Sequence, residues 1–507
     1  MTRIIQNAPL ILILMGIAAL AMFVPMVHAL ANQQFLVARA FGYAAILGLA
    51  LVFAIGLAMS GRARHDYSDL DNLVSLLLAF TVLPLFLAVP FHAGVQTTSF
   101  LNAYFEMVSS LTTTGATLFD TPGRLVDSLH LWRGLVGWMG GLLIWVAAAA
   151  VLAPLNLGGF EVTASAEPGQ GDTMMARFER ANSSKRLLKV SGQLIPLYAG
   201  LTAGLWLLLV ISGDRPVVAM MHAMATLATS GISPVGGMQG ASSGFGGEAV
   251  IFLFLLFALS RLTFSSDTMT TARPGLNNDP EFRLGMLLVL GVPMLLVLRH
   301  FIAALEIDEV TNISLALKAF WGGMFTVLSF LSTTGFESAD WSMARDWSGL
   351  STPGMILLGL AVMGGGVATT AGGVKLLRVY VLYLNSRREL EHLVHPSSVG
   401  RTTVRSRRIR RKGAVIAWIF FMLFAMSLAL ITVVLASLGL NFEQSIVLAI
   451  SALSTTGPLT QVALETPIDL QNMGDAAKLV MATAMVLGRL EILAIIALIN
   501  PALWRET

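Results

Sequence analysis

Ser109-Ser110-Leu111-Thr112-Thr113-Thr114-Gly115-Ala116 closes an apolar, helix-like segment with a run of hydroxyl residues and a glycine, and close variants of it recur three times. The variants are Ala225-Thr226-Leu227-Ala228-Thr229-Ser230-Gly231-Ile232, Leu328-Ser329-Phe330-Leu331-Ser332-Thr333-Thr334-Gly335-Phe336 and Ser451-Ala452-Leu453-Ser454-Thr455-Thr456-Gly457-Pro458. Their spacing is roughly even, as in an internal repeat. A single Thr-Thr-Gly is ordinarily a solvated turn or a helix end. Four copies in matching contexts point to four contributions to one site. Each follows an amphiphilic stretch too short to cross a bilayer, such as Ala103 to Leu111 or Ala316 to Leu331, and reads as a helix that enters and stops. Non-helical backbone is tolerated at membrane depth only where it is buried in protein or lines a water-filled cavity. Glycine permits the positive φ that turns carbonyls toward one axis, and rings of carbonyls can replace a cation's hydration shell. No carboxylate lies in any Thr-(Thr/Ser)-Gly core, so the ligands would be uncharged oxygens, suited to a weakly hydrated monovalent ion rather than Mg²⁺ or Ca²⁺. The candidate ligands are Thr113, Thr114 and Gly115; Thr229, Ser230 and Gly231; Thr333, Thr334 and Gly335; and Thr455, Thr456 and Gly457.

Composition identifies the solvent. With 55% hydrophobic and 12% charged residues and a mean hydropathy of +0.76, the chain is far more apolar than a soluble domain and reads as an all-α integral membrane protein. The formal charge is only +3. Its basic residues cluster in connecting segments, which bears on membrane orientation and argues against nucleic-acid binding. The absence of cysteine excludes disulfides, thiolate chemistry and cysteine-ligated metals. Of eight histidines only His392 and His395 are helically spaced, and they sit in a basic loop.

In chain order, Ala8 to Val27 is too long for the roughly 7–15-residue apolar region of a signal peptide and reads as a span. Phe41 to Met59 is a second, stopped by Gly61-Arg62-Ala63-Arg64-His65. A unit of span, short helix with glycine motif, and second span then occurs four times. The first comprises Leu70 to Pro90, Phe100 to Gly115 and Leu131 to Leu152; the second Leu187 to Ile211, Val217 to Gly231 and Ala249 to Phe264. The third comprises Phe282 to Ile302, Ala316 to Gly335 and Gly354 to Leu384; the fourth Ala414 to Leu438, Phe442 to Gly457 and Ala476 to Ile499. The expected organisation is two leading spans (1–66) and units at 67–170, 171–270, 271–400 and 401–507: ten transmembrane helices and four re-entrant ones, with both termini on one side. Arg3, Arg62, Arg64, Arg177, Arg180, Lys185, Arg186, Arg505 and the run Arg401 to Lys412 all fall on that side, which makes it cytoplasmic. The motifs then open outward, with Asp120, Asp127, Glu306, Asp308 and Glu309 at the outer mouths, where acids can concentrate cations.

Two features interrupt the spans. Met363-Gly364-Gly365-Gly366-Val367-Ala368-Thr369-Thr370-Ala371-Gly372-Gly373-Val374-Lys375 carries five glycines, each costing a helix about 0.8–1.0 kcal/mol relative to alanine. It reads as a broken helix with an intramembrane loop, or else as close helix packing through small residues. It lacks the Gly-Lys-Ser/Thr ending of a phosphate-binding loop. The second feature is Arg489, well inside an apolar run. It would face a pore and repel cations, or pair with an interhelical carboxylate.

Together with Leu131-Trp132-Arg133 leading to Trp138-Met139-Gly140-Gly141, Ala166-Glu167-Pro168-Gly169, Ala371-Gly372-Gly373-Val374-Lys375-Leu376-Leu377-Arg378 and Leu487-Gly488-Arg489-Leu490-Glu491, these motifs give a chain-long resemblance. The sequence is similar to the TrkH/TrkG/KtrB superfamily of potassium transporters, and its leading pair of spans resembles the TrkH branch. The resemblance implies a pseudo-fourfold K⁺ pore of four M1-P-M2 repeats in the bacterial inner membrane. It also implies gating by Gly364, Gly365, Gly366, Gly372, Gly373, Lys375 and Arg489, a homodimer, and a cytosolic TrkA-like nucleotide-binding partner. Glycine at all four filter positions goes with K⁺ rather than Na⁺ in this superfamily. The chain departs from the pattern at Ser230, where the second unit often has glycine, and at Ala368-Thr369-Thr370-Ala371, where the family often has Ala-Gly-Ser-Thr. Two rival functions are an ion-coupled symporter, which usually carries ionisable coupling residues in its spans, and an intramembrane hydrolase using Ser230 and His222.

Overall fold

The hydroxyl-rich runs end helices in all four places. In the computed structural model, which describes residues 9–59, 69–153, 157, 183–260, 279–307, 313–350, 352–395 and 411–499, these helices are Phe100–Leu111, Pro216–Ala228, Ile313–Leu331 and Phe442–Leu453. The first is started by Ser99, whose Oγ accepts from Asn102 N at 3.2 Å. The second is started by Pro216, whose missing N–H costs nothing at the first position. Each terminates in the same double hydrogen bond. Thr114, Ser230, Thr334 and Thr456 donate their N–H back to Ser109, Ala225, Ser329 and Ser451, all at 2.9 Å, while the residue before each donor bonds three residues back. This is a Schellman cap. Its left-handed position, usually glycine, is threonine every time, with φ of 55° at Thr113, 50° at Thr229, 60° at Thr333 and 54° at Thr455.

Around these short helices the described residues form helices and loops with no strand. Among the described residues eight helical runs are long and apolar enough to cross a membrane: Leu10–Ala31, Phe35–Met59, Asp71–Val95, Asp127–Leu152, Arg186–Ile211, Pro280–Arg299, Ile313–Leu331 and Gly413–Ser437. The count differs from the ten expected for two reasons. Ile313–Leu331, expected as a re-entrant piece, is 19 residues long. The return helices of the last three units are broken: Gly244–Leu255 passes into a 3-10 turn, Gly354–Met363 stops at Gly364, and Asp475–Leu490 stops at Glu491 before Ile492–Ile499. Large apolar side chains point outward along the spans, Leu47 and Phe53 being 68% and 69% exposed, as lipid-facing residues require.

Packing closes a ring. The return helix Asp127–Ala147 packs on Pro216–Ala228, Gly244–Leu255 on Ile313–Leu331, Gly354–Met363 on Phe442–Leu453, and Asp475–Leu490 on Phe100–Leu111. Each unit's last helix therefore supports the next unit's short helix, and the fourth supports the first. The two leading spans lie outside this ring, against Leu83–Val95 and Asp127–Ala147 of the first unit. The expected signals at Arg3, Arg62, Arg64, Arg177, Arg180, Ala166 to Gly169, Asp308, Glu309, Arg401 to Arg410 and Arg505 lie outside the described residues, as do the side chains of Lys185, Glu306, Arg411 and Lys412.

Candidate functional site

The ring of helices brings the four glycine loops into direct contact. A Cβ added at Gly115 would collide with the carbonyl oxygen of Ser230, one at Gly231 with that of Thr334, one at Gly335 with the ring of Pro458, and one at Gly457 with the backbone of Ala116. Gly457 N–H donates to Thr114 O at 2.6 Å. Units one to four thus touch head to tail at the residue the sequence singled out, and no side chain fits at the contact. Gly115, Gly231 and Gly335 have positive φ, but Gly457 does not. The residue after it is Pro458, and a residue before proline is held in extended backbone. The left-handed geometry expected of the glycines is taken up in all four units by the threonine two positions earlier, and in three of them by the glycine as well.

Those threonines define one end of the ring. Thr113, Thr229, Thr333 and Thr455 are buried. Among the described residues the Oγ1 atoms of Thr113, Thr229 and Thr455 have no protein hydrogen-bond partner, nor has Ser230 Oγ. Burying a hydroxyl without a partner costs roughly 1–3 kcal/mol. Three orphaned threonine oxygens at equivalent positions of the ring, with no carboxylate among them, have the chemistry of a donor set for a weakly hydrated monovalent cation. Neighbouring hydroxyls are paired within their own turns: Thr112 and Thr114 share a hydrogen bond of 2.9 Å, Ser332 and Thr334 one of 3.0 Å, Ser454 and Thr456 one of 3.2 Å. The second unit has Ala228 at that place, which is why Ser230 is left alone.

In the first three units the turn beyond the glycine is braced by the residue nine positions before it. Glu106 accepts from Leu118 N at 2.5 Å and Thr117 Oγ1 at 2.9 Å and pairs with Arg133 at 2.9 Å, wholly buried. His222 Nε2 meets Ser233 Oγ at 2.9 Å. Thr326 Oγ1 accepts from Ser338 N at 3.2 Å, and Ser338 and Ala339 are also held by Glu248 of the preceding unit. The imagined Ser230–His222 couple is therefore not formed: the imidazole serves Ser233, and its other nitrogen faces Asp214 at 3.7 Å. Burial pushes the Asp214 carboxyl up, but hydrogen bonds from His222 and Ser243 more than offset this and hold it below the usual range. At the same mouth Asp120 accepts from Gln461 at 3.1 Å and is raised by burial and by Asp469. Burial raises Glu337, two residues past Gly335, to about 6 against the opposing pull of Arg345.

The glycine-rich stretch lies against the threonine end. Its flanks are zipped together by Val374 N to Val362 O, Lys375 N to Met363 O and Leu376 N to Gly365 O, each 2.9 Å, so the chain goes out and back as a loop. The loop is tied to three units. Gly366 N donates to Ala258 O at 2.9 Å, Thr370 Oγ1 to Leu227 O at 3.1 Å, Gly372 N to Thr333 Oγ1 at 2.7 Å, and Val367 N to Glu281 Oε1 at 3.1 Å. A Cβ at Gly372 would collide with Ser454 O and Thr455 Oγ1. Both sequence readings of the stretch meet here: the helix is broken, and its glycines also pack on neighbouring backbone. Two cations cap the loop's carbonyls, Arg489 Nη1 on Thr370 O at 2.7 Å and Lys375 Nζ on Ala371 O. Arg489 has no carboxylate partner among the described residues, since Glu491 pairs with Arg378 at 2.7 Å and Arg378 stacks on Phe420 at 3.7 Å. A cavity of about 30 Å³, roomy enough for water, lies between Lys375, Arg489 and the loop. Glu106, Glu248 and Glu281 went unread in the sequence, where Arg133 and Arg378 stand only as motif residues without a role. The available signal was an ionisable residue within or beside an apolar run.

Comparison with known proteins agrees with this architecture. The family model of the TrkH cation transport proteins matches residues 249–505. The chain is similar to the Trk system potassium uptake protein TrkI of Halomonas elongata, with 30% identity over 482 residues, 92% of this chain and 91% of that one. It is also similar to TrkH of Vibrio parahaemolyticus, with 29% identity over 453 residues and 88% of each chain. Among solved structures, the crystal structure of the potassium transporter TrkH from Vibrio parahaemolyticus superposes with a TM-score of 0.79 at 25% identity, covering 98% of this chain and 99% of that one.

Proposed function

Because this chain belongs to the TrkH family of cation transport proteins, we propose that it conducts K⁺ through the ring formed by its four glycine loops. The protein is a membrane transporter and not an enzyme. Carbonyls and hydroxyls of Thr113, Thr114, Gly115, Thr229, Ser230, Gly231, Thr333, Thr334, Gly335, Thr455, Thr456 and Gly457 serve as the selectivity filter in this reading. The loop from Gly364 to Gly373, with Lys375 and Arg489, is the gate at its inner end. The observation that carries the reading is the closed head-to-tail contact of the four glycines beside orphaned threonine oxygens. The basic connecting segments put the threonine end and both termini in the cytoplasm and the acidic mouth outside. The same reading divides the chain into leading spans (1–66) and pore repeats at 67–170, 171–270, 271–400 and 401–507. It makes the protein a homodimer in the bacterial inner membrane, served by a TrkA-like cytosolic subunit, since its relatives are named as parts of a Trk system.

Flux of ⁸⁶Rb⁺ into liposomes holding this chain alone tests conduction directly. In the same assay Gly115→Ser and Gly335→Ser should lower the preference for K⁺ over Na⁺ about tenfold or more, because a side chain there displaces the Ser230 carbonyl in the one case and the Pro458 ring in the other. Unchanged selectivity in a folded variant would count against a filter at these residues. Saturation and dependence on a Na⁺ or H⁺ gradient would instead mark a coupled symporter.

A further inference from the structure

The four inner threonines are equivalent by repeat but not by partner. Thr113, Thr229 and Thr455 present hydroxyl oxygens to which no protein group donates among the described residues, whereas Thr333 Oγ1 accepts the Gly372 N–H of the loop at 2.7 Å. Gly372 also lies so close to Ser454 O and Thr455 Oγ1 that not even a Cβ fits between them. The loop therefore occupies the space in which a cation at the inner end of the ring would meet these oxygens. The hydroxyl oxygen keeps a second lone pair, but with the Gly372 backbone seated beside Thr333 Oγ1, Ser454 O and Thr455 Oγ1 a cation has no room to reach it, so loop and ion exclude each other by space.

We propose that Thr333 is the latch of the gate: its hydroxyl holds the loop closed by accepting from Gly372, and becomes a cation ligand only when the loop leaves. Ion occupancy at the inner end and loop seating are then mutually exclusive, and the permeant ion promotes its own opening by population shift. This deepens, and rests on, the filter-and-gate reading. Repeats one, two and four supply internal controls, because their threonines share the backbone conformation and burial of Thr333 without the bond.

The test uses the purified full chain in liposomes, with ⁸⁶Rb⁺ flux measured over a series of K⁺ concentrations on the loop side. Thr333→Val keeps the β-branched shape and hence the backbone strain, and removes only the acceptor. It should raise flux at low K⁺ about three- to tenfold, the effect of one buried hydrogen bond on a two-state equilibrium, and flatten the K⁺ dependence. Thr333→Ser should restore both. Thr113→Val and Thr229→Val remove a cation ligand but no latch, so flux should fall at every K⁺ concentration, without the rise at low K⁺. Thr333→Val behaving like Thr113→Val and Thr229→Val would overturn the latch. Flux and Rb⁺/Na⁺ preference unchanged in Thr113→Val and Thr229→Val would overturn the filter reading itself. Amide hydrogen exchange over 364–376 gives a readout independent of conduction: faster exchange in Thr333→Val than in Thr113→Val supports the latch, and equal protection overturns it.

Discussion

An L-residue forced into the left-handed region costs about 1–2 kcal/mol, and this chain places a β-branched threonine there four times, at Thr113, Thr229, Thr333 and Thr455. Strain repeated at equivalent positions is kept where a site requires it: the turn aims a hydroxyl at the axis, which a glycine could not supply. Charge is arranged with the same economy. Arg489 donates to Thr370 O and leaves the neighbouring carboxylate to Arg378, so Arg489→Ala strips a charge from the loop without orphaning an acid. A hydrogen bond from a charged donor contributes about 1.5–3 kcal/mol. Basal K⁺ flux should therefore rise about tenfold or more in Arg489→Ala while selectivity and detergent-solubilised melting temperature hold. A variant both destabilised and silent would sink the gating role. At the other mouth the Glu337 carboxyl, raised by burial to about 6, is charged above that pH and neutral below it. Uptake from dilute K⁺ should fall as external pH drops through about 6, by a fewfold, and Glu337→Gln should lie at the low value at every pH. An unchanged pH profile in that variant would remove Glu337 from the mouth.

In the first three units the short helices work as brackets whose outer turns are held from position nine before the glycine, with different chemistry in each: Glu106, His222 and Thr326; the fourth has Leu448 there, and its turn is closed by Ile468 N to Thr460 O at 2.9 Å. In the first, Glu106 forms a wholly buried ion pair with Arg133 on the return helix Asp127–Ala147. Breaking such a pair from one side leaves an unmatched charge and costs about 3–5 kcal/mol. Glu106→Gln should accordingly lower thermal stability by that amount, while Glu106→Gln combined with Arg133→Met recovers most of it; purely additive losses in the double variant would show that the two residues act separately. The broken return helices have causes visible in their sequences. Five glycines between Gly364 and Gly373 stop one, and Glu491, with φ 62°, stops another where its carboxylate turns to Arg378. The glycine break was readable from composition. The second was not, because a lone Glu after Arg489 reads equally well as continuing a helix.

At the scale of the molecule, the four units close because each return helix supports the next unit's short helix, and the leading spans add an outer layer on the first unit alone. The proposed orientation is open to a clean labelling experiment, since the chain has no cysteine. A single cysteine at Asn472, exposed beyond the fourth glycine loop, should react with a membrane-impermeant maleimide on intact cells, and one at Glu389, exposed on the helix Leu376–Val394, only after permeabilisation. The reverse pattern would invert the gate and the acidic mouth.

The sequence by itself determined the solvent and located the four helix-ending Thr-Gly turns, because apolar run length answers to bilayer thickness and a repeated Thr-Gly turn is a local, backbone-level signal. It also placed the breaker glycines, whose effect on a helix depends only on their own chain. The tertiary structure decided who faces whom: that Gly115 abuts Ser230, that Arg489 caps a carbonyl while Glu491 goes to Arg378, and that the loop seats on Thr333 and not on its three equivalents. Those partners lie up to 119 residues apart, and contacts at such separations are set by how the helices pack, which no local pattern encodes.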